Sequence, residues 1–516
     1  MAITEQDRLR VTTQRSRTIH TKIQLLDYDF TQFGEDIDGV VLDGATFTID
    51  ANSDIRRTCS ISFIPNKPNL GVGYGKGVWL DKYVKIFVGI EDNLDPTIIQ
   101  YTNMGIYIIN NPEQVYDAVQ NIITISGIDM MAKITGLRNG NLIFGEDGQV
   151  QPATSYFVES GNGIKQVMTS TMEDCGWSGM LVDIDQPTPT ILTPMDMTFN
   201  LGSTAYNIIS QLRDINSGYE TYFDVDGIFH FRQIPYSLYA PWTQGDTLRT
   251  GVYEYKIYNK GDRCTYMSNG ITYVYESKLN NNYNHIPTDT NWWSVVNHTM
   301  DSIFADDTLW DKVLISYNKN YDFENVKNYI EVFGKTQNDG NTPYGIAYDN
   351  NPNSPFYYGG TVGTINIVLS GGEYDNIYPL ADYYSYVAVT PIGTENPFIE
   401  GWYVIDNYNY VLTYDTSIQP NVIYYKKVYN IDEFNSLAQQ RAEWELFQRC
   451  RLQDQITLTC VPVYWLDVNK LVSITLPTED EENPKTELYV IKNINTTLSV
   501  DGTQQITLMK YYPLYS

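Results

Sequence analysis

Cysteine, histidine and basic residues are scarce in this chain, and each shortage closes off a class of chemistry. Five cysteines in 516 residues (Cys59, Cys175, Cys264, Cys450 and Cys460) form an odd set with no C-x-x-C pair, so neither a disulfide framework nor a zinc site is suggested. Buried thiols are the expected state. The four histidines (His20, His230, His285, His298) make no H-E-x-x-H pair, and no G-x-S-x-G elbow occurs, which leaves metalloprotease and serine-hydrolase chemistry without their groups. Glycoside hydrolysis stays open only in the sense that any two of 62 acids could converge. No cofactor is implied. No run approaches about 18 apolar residues, and MAITEQDRLRVTTQRSR has no apolar segment, so neither a membrane span nor a signal peptide is expected. With 34 basic against 62 acidic residues the net charge is −28, which argues against nucleic acid as a tight ligand because phosphate contacts need Lys and Arg. An acidic wall does suit a channel through which DNA slides without sticking.

What the chain has in quantity is tyrosine: 43 Tyr against 18 Phe and 9 Trp, with abundant Thr, Ile, Val and Asn. That composition favours strands and turns, and the length suits three or four domains. The fold class expected is mainly β with a smaller α+β part. In Met104–Gly136, strands over Gly105–Asn110 and Asn121–Ser126 flank a polar segment whose Pro112 cannot donate to a ladder, so a hairpin with a long turn is predicted. The second strand then breaks at Gly127 into Ile128–Ile134, whose apolar positions suit a helical turn. Cys59, Ile61 and Phe63 alternate with Ser60 and Ser62, the pattern of a half-buried strand. The Gly71-to-Gly77 loop has the wrong spacing for a phosphate cradle. Further on, Ile164, Val167, Met168 and Met172 predict one amphipathic helix. Ala205, Ile208, Ile209 and Leu212 predict a second, capped by Ser203. Asp226-Gly227 predicts a two-residue hairpin turn rather than a calcium loop, whose later ligands are missing. Asp432 would cap a helix striped by Phe434, Ala438, Ala442, Leu446 and Cys450, and Glu479-Asp480-Glu481-Glu482 reads as a solvated hairpin tip.

Several of these stretches resemble bacteriophage tail and baseplate hub proteins. The first is the "G-x-Y-x-I … I-S-x-D-x-x-A-K" run within Met104–Gly136. The others are the Arg56-Arg57 approach to a strand, the run from Tyr219 through Asp226-Gly227 to Phe231, and Asn325 to Lys335 followed by Ile346 to Pro355. The resemblance implies two hub-type β-barrels, an α/β domain between them and small inserted β-modules. The boundaries expected are 1–135 (first barrel), 136–240 (α/β), 241–300 (inserted module), 301–390 and 431–516 (two parts of the third domain) and 391–430 (a small β-element). The inserted module, with Tyr258-Asn259-Lys260-Gly261-Asp262, Tyr266, Tyr273 and Trp292-Trp293, resembles chitin-type carbohydrate-binding modules of families 5 and 12. That likeness implies Tyr266, Tyr273, Trp292 and Trp293 as sugar-contacting rings, although Tyr258 and Trp293 also suit the core of so small a domain. Asn396 to Lys427 is similar to a short β-element of phage tail and fibre proteins.

From the hub resemblance follow a structural, non-enzymatic role, a homotrimer, and partners among tail-tube, distal-tail and tip or fibre proteins. It also implies location at the virion's tail tip and DNA met only in transit. Host polysaccharide is the further partner implied by the module. Arg56 and Arg57, conspicuous in an acidic chain, are divided between a surface ion pair and a subunit contact. With Ser516 directly after the last strand, no lytic extension is expected.

Overall fold

A computed structural model describes residues 5–510 apart from a number of stretches, the longest being 145–150, 175–181, 185–191, 235–241, 299–309, 372–386, 390–401, 415–422 and 477–485. Cys175 and the acidic run Glu479–Glu482 therefore lie outside the described residues, as does most of the loop structure of the 391–430 element. The protein is mainly β with a minor helical part.

A short helix, α1 (Glu5–Thr12), precedes β1 (Ile19–Leu26), β2 (Ile37–Asp38), β3 (Ala45–Asp50), β4 (Arg57–Phe63), β5 (Tyr83–Asp92), β6 (Asp95–Tyr116) and β7 (Asn121–Ile128). These strands lie in the order β2-β1-β5-β6-β7-β4-β3, and the sheet then continues without a break into the C-terminal strands Thr486–Leu498, Gln504–Lys510, Gln453–Cys460 and Leu314–Asp322. The strand Leu471–Thr475 pairs with Thr486–Leu498 as a branch. The two β-rich blocks, far apart in sequence, are zipped together, antiparallel, from Ala45 opposite Leu498 to Asp50 opposite Asn493. Alternation explains why the seam holds. Ala45, Phe47 and Ile49 of β3 are buried while Thr46 is exposed and Thr48 and Asp50 only half-buried, so the one apolar face of the strand offers Ala45 and Phe47 to the N-terminal core and Ile49 to the C-terminal one.

The N-terminal lobe packs Phe47, Ile61, Phe63, Ile86, Ile123 and Tyr107 into one core, and the C-terminal lobe packs Leu458, Val472, Tyr489, Ile494 and Leu508 into another. In β4 the expected alternation is present, with Cys59, Ile61 and Phe63 inside. Four of the cysteines are described, and they form no disulfide.

Pro112 did not end its strand. β6 runs through it to Tyr116, and the ladder with β7 jumps from Asn110–Ser126 to Glu113–Thr124. Asn111 takes a left-handed backbone there (φ +44°), so the missing Pro112 N–H falls inside a bulge, where no ladder bond is required of it. The hairpin turn itself is short, with Asp117 Oδ1 accepting from the N–H groups of Val119 and Gln120. After β7, Asp129 caps a 3₁₀ turn over Met130–Lys133 by accepting the Met131 N–H at 3.0 Å.

Helices α2 (Ile164–Asp174) and α3 (Ala205–Ile215) bury the predicted stripes completely. Thr204, not Ser203, caps α3: its hydroxyl accepts the Asn207 N–H while Asn207 Oδ1 accepts the Thr204 N–H, a reciprocal cap. The following hairpin, Tyr219–Phe223 with Phe229–Gln233, turns over five residues rather than two. Asp224 organises the turn by accepting from the N–H groups of Asp226 and Ile228, and Gly227 takes φ +76°.

Helix α4 (Ile431–Arg449) starts one residue before Asp432, which is therefore not its cap. It lies on the strands Tyr329–Phe333 and Tyr344–Tyr348 through Ala438 and Ala442, both fully buried. A Cβ on Gly345 would sit 2.3 Å from the Ala438 backbone, so only glycine permits this approach. Helices α2, α3 and α4, the 3₁₀ turn and the 219–233 hairpin share one core containing Met131, Ile208, Phe223, Ile330 and Ala438.

Candidate functional site

Two places gather the residues singled out above. One is a junction of charges beneath the sheet, the other the inserted module.

The junction begins with the loop between β3 and β4. The Asp50 N–H donates to the Arg56 carbonyl, and Asp50 Oδ1 accepts the Asn52 N–H; this closed turn delivers Arg56 and Arg57 side by side. Neither reading made from sequence holds, because both residues are buried, Arg56 at 3% and Arg57 at 1% exposure. They are not a surface ion pair, nor are they available for a subunit contact. The interior of one chain accounts for them. Arg57 donates from Nη2 to Asp467 Oδ2 at 2.7 Å, from Nη1 to the Phe223 carbonyl, and from its backbone N–H to Asp129 Oδ2 at 2.9 Å. Arg56 pairs with Glu220 and lies 4.0 Å over the Tyr222 ring. Tyr222 stacks on His230, whose Nε2 is 2.9 Å from Asp224 Oδ2. Glu220 also accepts from Asn469 Nδ2, and Asn469 Oδ1 accepts from Lys492 Nζ at 3.0 Å.

Residues from the N-terminal lobe, the α/β hairpin and the C-terminal lobe thus meet in one hydrogen-bonded network. Two buried guanidiniums are tolerable in it because each faces a carboxylate. Burial pushes Asp129 up to about 6, against the pull of the Arg57 N–H and guanidinium and the Met131 N–H. Burial lowers Arg57, but the Asp467 carboxylate, Asp129 and Tyr107 together outweigh burial and the neighbouring Arg56, and the group is held above its ordinary value. In the sequence Arg56 and Arg57 stand out by their charge, Asp129 lies within the helical turn expected over Ile128–Ile134, and Glu220, Tyr222 and Asp224 fall in the hub-like run from Tyr219, with nothing to pair them. Glu220, Asp467 and Asn469 carry no local signal, since their partners lie 164, 410 and 249 residues away.

In the module, strands Arg263–Ser268, Ile271–Ser277 and Trp293–His298 form an antiparallel sheet. Tyr258, Cys264, Tyr275 and Trp293 make its core. Trp293 is 1% exposed and donates its indole N–H to the His285 carbonyl at 2.8 Å, so it cannot be a sugar-contacting ring and belongs with Tyr258, 4.9 Å away. Tyr266 is half-buried, edge-on to Trp242 and Tyr275. Tyr273 pairs with Tyr266 and His298 through its backbone; its side chain lies outside the description. Trp292 is half-buried and stacks flat on His285, ring centroids 3.8 Å apart. Among the described residues no group of His, Cys, Asp and Glu could hold a metal ion, and no helix is long and apolar enough to cross a membrane.

Residues 420–515 match a family model described as "Domain of unknown function (DUF5048)". No curated protein matches the sequence. Solved structures with a similar course of chain include tail proteins. One is the 43 kDa tail protein of prophage MuSo2 from Shewanella oneidensis, 9% identical over 95% of this chain and 98% of that one, with a TM-score of 0.42. A tail protein from Neisseria meningitidis MC58 is 9% identical over 95% and 96%, at 0.44. Prophage tail protein gp18 from Listeria monocytogenes EGD-e is 10% identical over 95% and 94%, at 0.43.

Proposed function

We propose that this protein is a structural hub of a phage tail, three copies of which form a ring between the tail tube and the tip through which DNA passes. The observation that carries this reading is the single twelve-stranded sheet: its two lobes are locked by the β3 seam at a fixed spacing, as a ring of alternating lobes demands. Its ends support the same reading. Among the described residues the strand Leu314–Asp322 pairs on one side only, with Gln453–Cys460, and Ile315 and Tyr321 on it are exposed at 58% and 47%. An edge of this kind invites pairing, and closure into a ring covers it. The net charge of −28 suits a lumen that repels DNA rather than holding it. The motif resemblance supplies the trimeric arithmetic, the domain division and the partners, namely tail-tube, distal-tail and tip proteins within a virion. No catalytic step is part of this role.

Native mass measurement with imaging of assembled tails tests the proposal. A trimer with a three-fold ring is expected; a monomer or dimer at micromolar concentration, with no ring in tails, would overturn it. A random DNA duplex should bind no tighter than micromolar at physiological salt.

A second reading, glycan binding by the module, is favoured by one observation: the Trp292–His285 stack offers a flat, half-exposed aromatic surface, the kind that packs on the C–H face of a sugar. Tyr266 and Tyr273 are the other rings in this reading. A glycan array without hits, or with hits unchanged in a Tyr273→Ala, Trp292→Ala double variant, would reduce the module to decoration.

A further inference from the structure

Asn469 is out of the ordinary in three ways at once. It is 1% exposed, it holds a left-handed backbone at φ +59°, and its side-chain amide is gripped between a lysine and a glutamate. The backbone conformation is one that asparagine adopts more readily than most residues. Here it is fixed by bonds to the neighbouring strand, Asn469 N–H to the Ile491 carbonyl at 2.7 Å and Ile491 N–H to the Lys470 carbonyl at 3.0 Å. Those bonds bring the loop beside Lys492. Lys492 Nζ lies 3.0 Å from Asn469 Oδ1, so it is no more than one C=O bond farther from Cγ, within about 4.2 Å. On the other side the Glu220 carboxylate, 5% exposed, accepts from Asn469 Nδ2 through Oε2, the oxygen that Arg56 also holds. Its second oxygen, Oε1, is buried with no hydrogen-bond partner among the described residues.

We propose that Lys492 and Asn469 become joined by an intramolecular isopeptide bond, formed by the chain itself with Glu220 as proton carrier. The components match the chemistry. An amine held against an amide carbon turns a bimolecular aminolysis into an intramolecular one, and the carboxylate at the amide nitrogen serves as base and then acid. The lysine ammonium gives one proton to Glu220 Oε1, and the freed amine attacks Asn469 Cγ. The new Cγ–Nζ bond forms as the Cγ–Nδ2 bond breaks. Glu220 returns its proton and the amine surrenders its second, so that Nδ2 leaves as ammonia and then ammonium. One ammonium and one amide become one secondary amide and one ammonium ion, with no change in oxidation state. Lys492 also lines an open groove with Asp50, Asn52 and Asn495, and the ammonium ion is released to solvent. The bond would tie the loop carrying Asn469 to the strand Thr486–Leu498, the same strand that forms the seam with β3.

The test is intact-mass measurement and peptide mapping of the full-length protein after incubation at neutral pH. We expect a mass lower than the sequence mass by one ammonia, and a branched peptide uniting the segments around Asn469 and Lys492. Lys492→Arg should abolish both, and Glu220→Gln should abolish the branch or slow its formation at least tenfold. Retention of the sequence mass would overturn the proposal, as would linear peptides carrying a deamidated Asn469. An ammonia loss that persists in Lys492→Arg would also overturn it, since that loss marks ring closure onto the Lys470 backbone nitrogen. Should Glu220→Gln fail to fold, the wild-type mass and the Lys492→Arg variant decide alone.

Discussion

The arginine junction and the inserted module are both built around large side chains that the sequence offers as surface contacts, yet they are stabilised in opposite ways. In the junction, Arg57 finds Asp129 at a separation of 72 residues and Asp467 at 410; each contact exists only when separate parts of the chain have already come together. In the module, Trp293 reaches His285 across eight residues and Asn282 reaches Ser277 across five. The first is therefore a reporter of global assembly, since a buried charge without its partner is strongly unfavourable. The second is a small local core, whose aromatic rings do what a larger domain does with many aliphatic residues. A single arginine or tryptophan thus means different things according to how far away its partners lie.

Breaking the junction should have the largest effect. Arg57→Ala leaves the Asp467 carboxylate and the Phe223 carbonyl without their donor, while Asp129 keeps the backbone N–H of residue 57, and we expect a loss of about 3 kcal/mol of stability, seen as a lower denaturant midpoint for both lobes together. Separate transitions for the two lobes, with only one moved, would break the comparison. Trp293→Ala should cost a similar or slightly smaller amount, about 3 kcal/mol, but only within the module: hydrogen exchange should rise across the module's strands (263–298) and leave β3 and β4 protected.

A subtler effect is expected from pH. Asp129 titrates near 6 in the folded chain and about 3.9 when unfolded. The folded state thus binds the proton more tightly, and stability falls as pH rises from about 4 to 6, by up to about 2–3 kcal/mol. Asp129→Asn should remove that decline, so the variant gains on the wild type between pH 4 and 7; a constant difference across that range would show that Asp129 is not the titrating group. Asp92 has the opposite sign. Its hydrogen bonds from Arg10, at 2.6 Å to each oxygen, hold it down to about 2. Its contribution is complete above pH 4 and lost as pH falls towards 2, an acid limb that Asp92→Asn should flatten. The smallest effect should come from Trp292→Ala, where one half-exposed ring is lost; we expect a stability change below about 1 kcal/mol, which sets Trp292 apart from its neighbour Trp293.

Local pattern determined a good part of this protein. The alternation in β4, the apolar stripes of α2 and α3 and the helical turn after Asp129 follow from periodicities of two and about 3.6, and these depend only on residues within a few positions of one another. Tertiary structure decided the rest. Pro112 stops a regular strand, but it passes through β6 because a bulge removes the bond it cannot make, and that bulge is set by the register with β7. β3 falls within the block expected as a first barrel (1–135); nothing within it specifies Thr486–Leu498 as the partner that makes two lobes one sheet. Arg56 and Arg57 read as surface charges because burial of a guanidinium is tolerable only with carboxylates at hand. Those carboxylates, Glu220 and Asp467, arrive from parts of the chain that no local pattern connects.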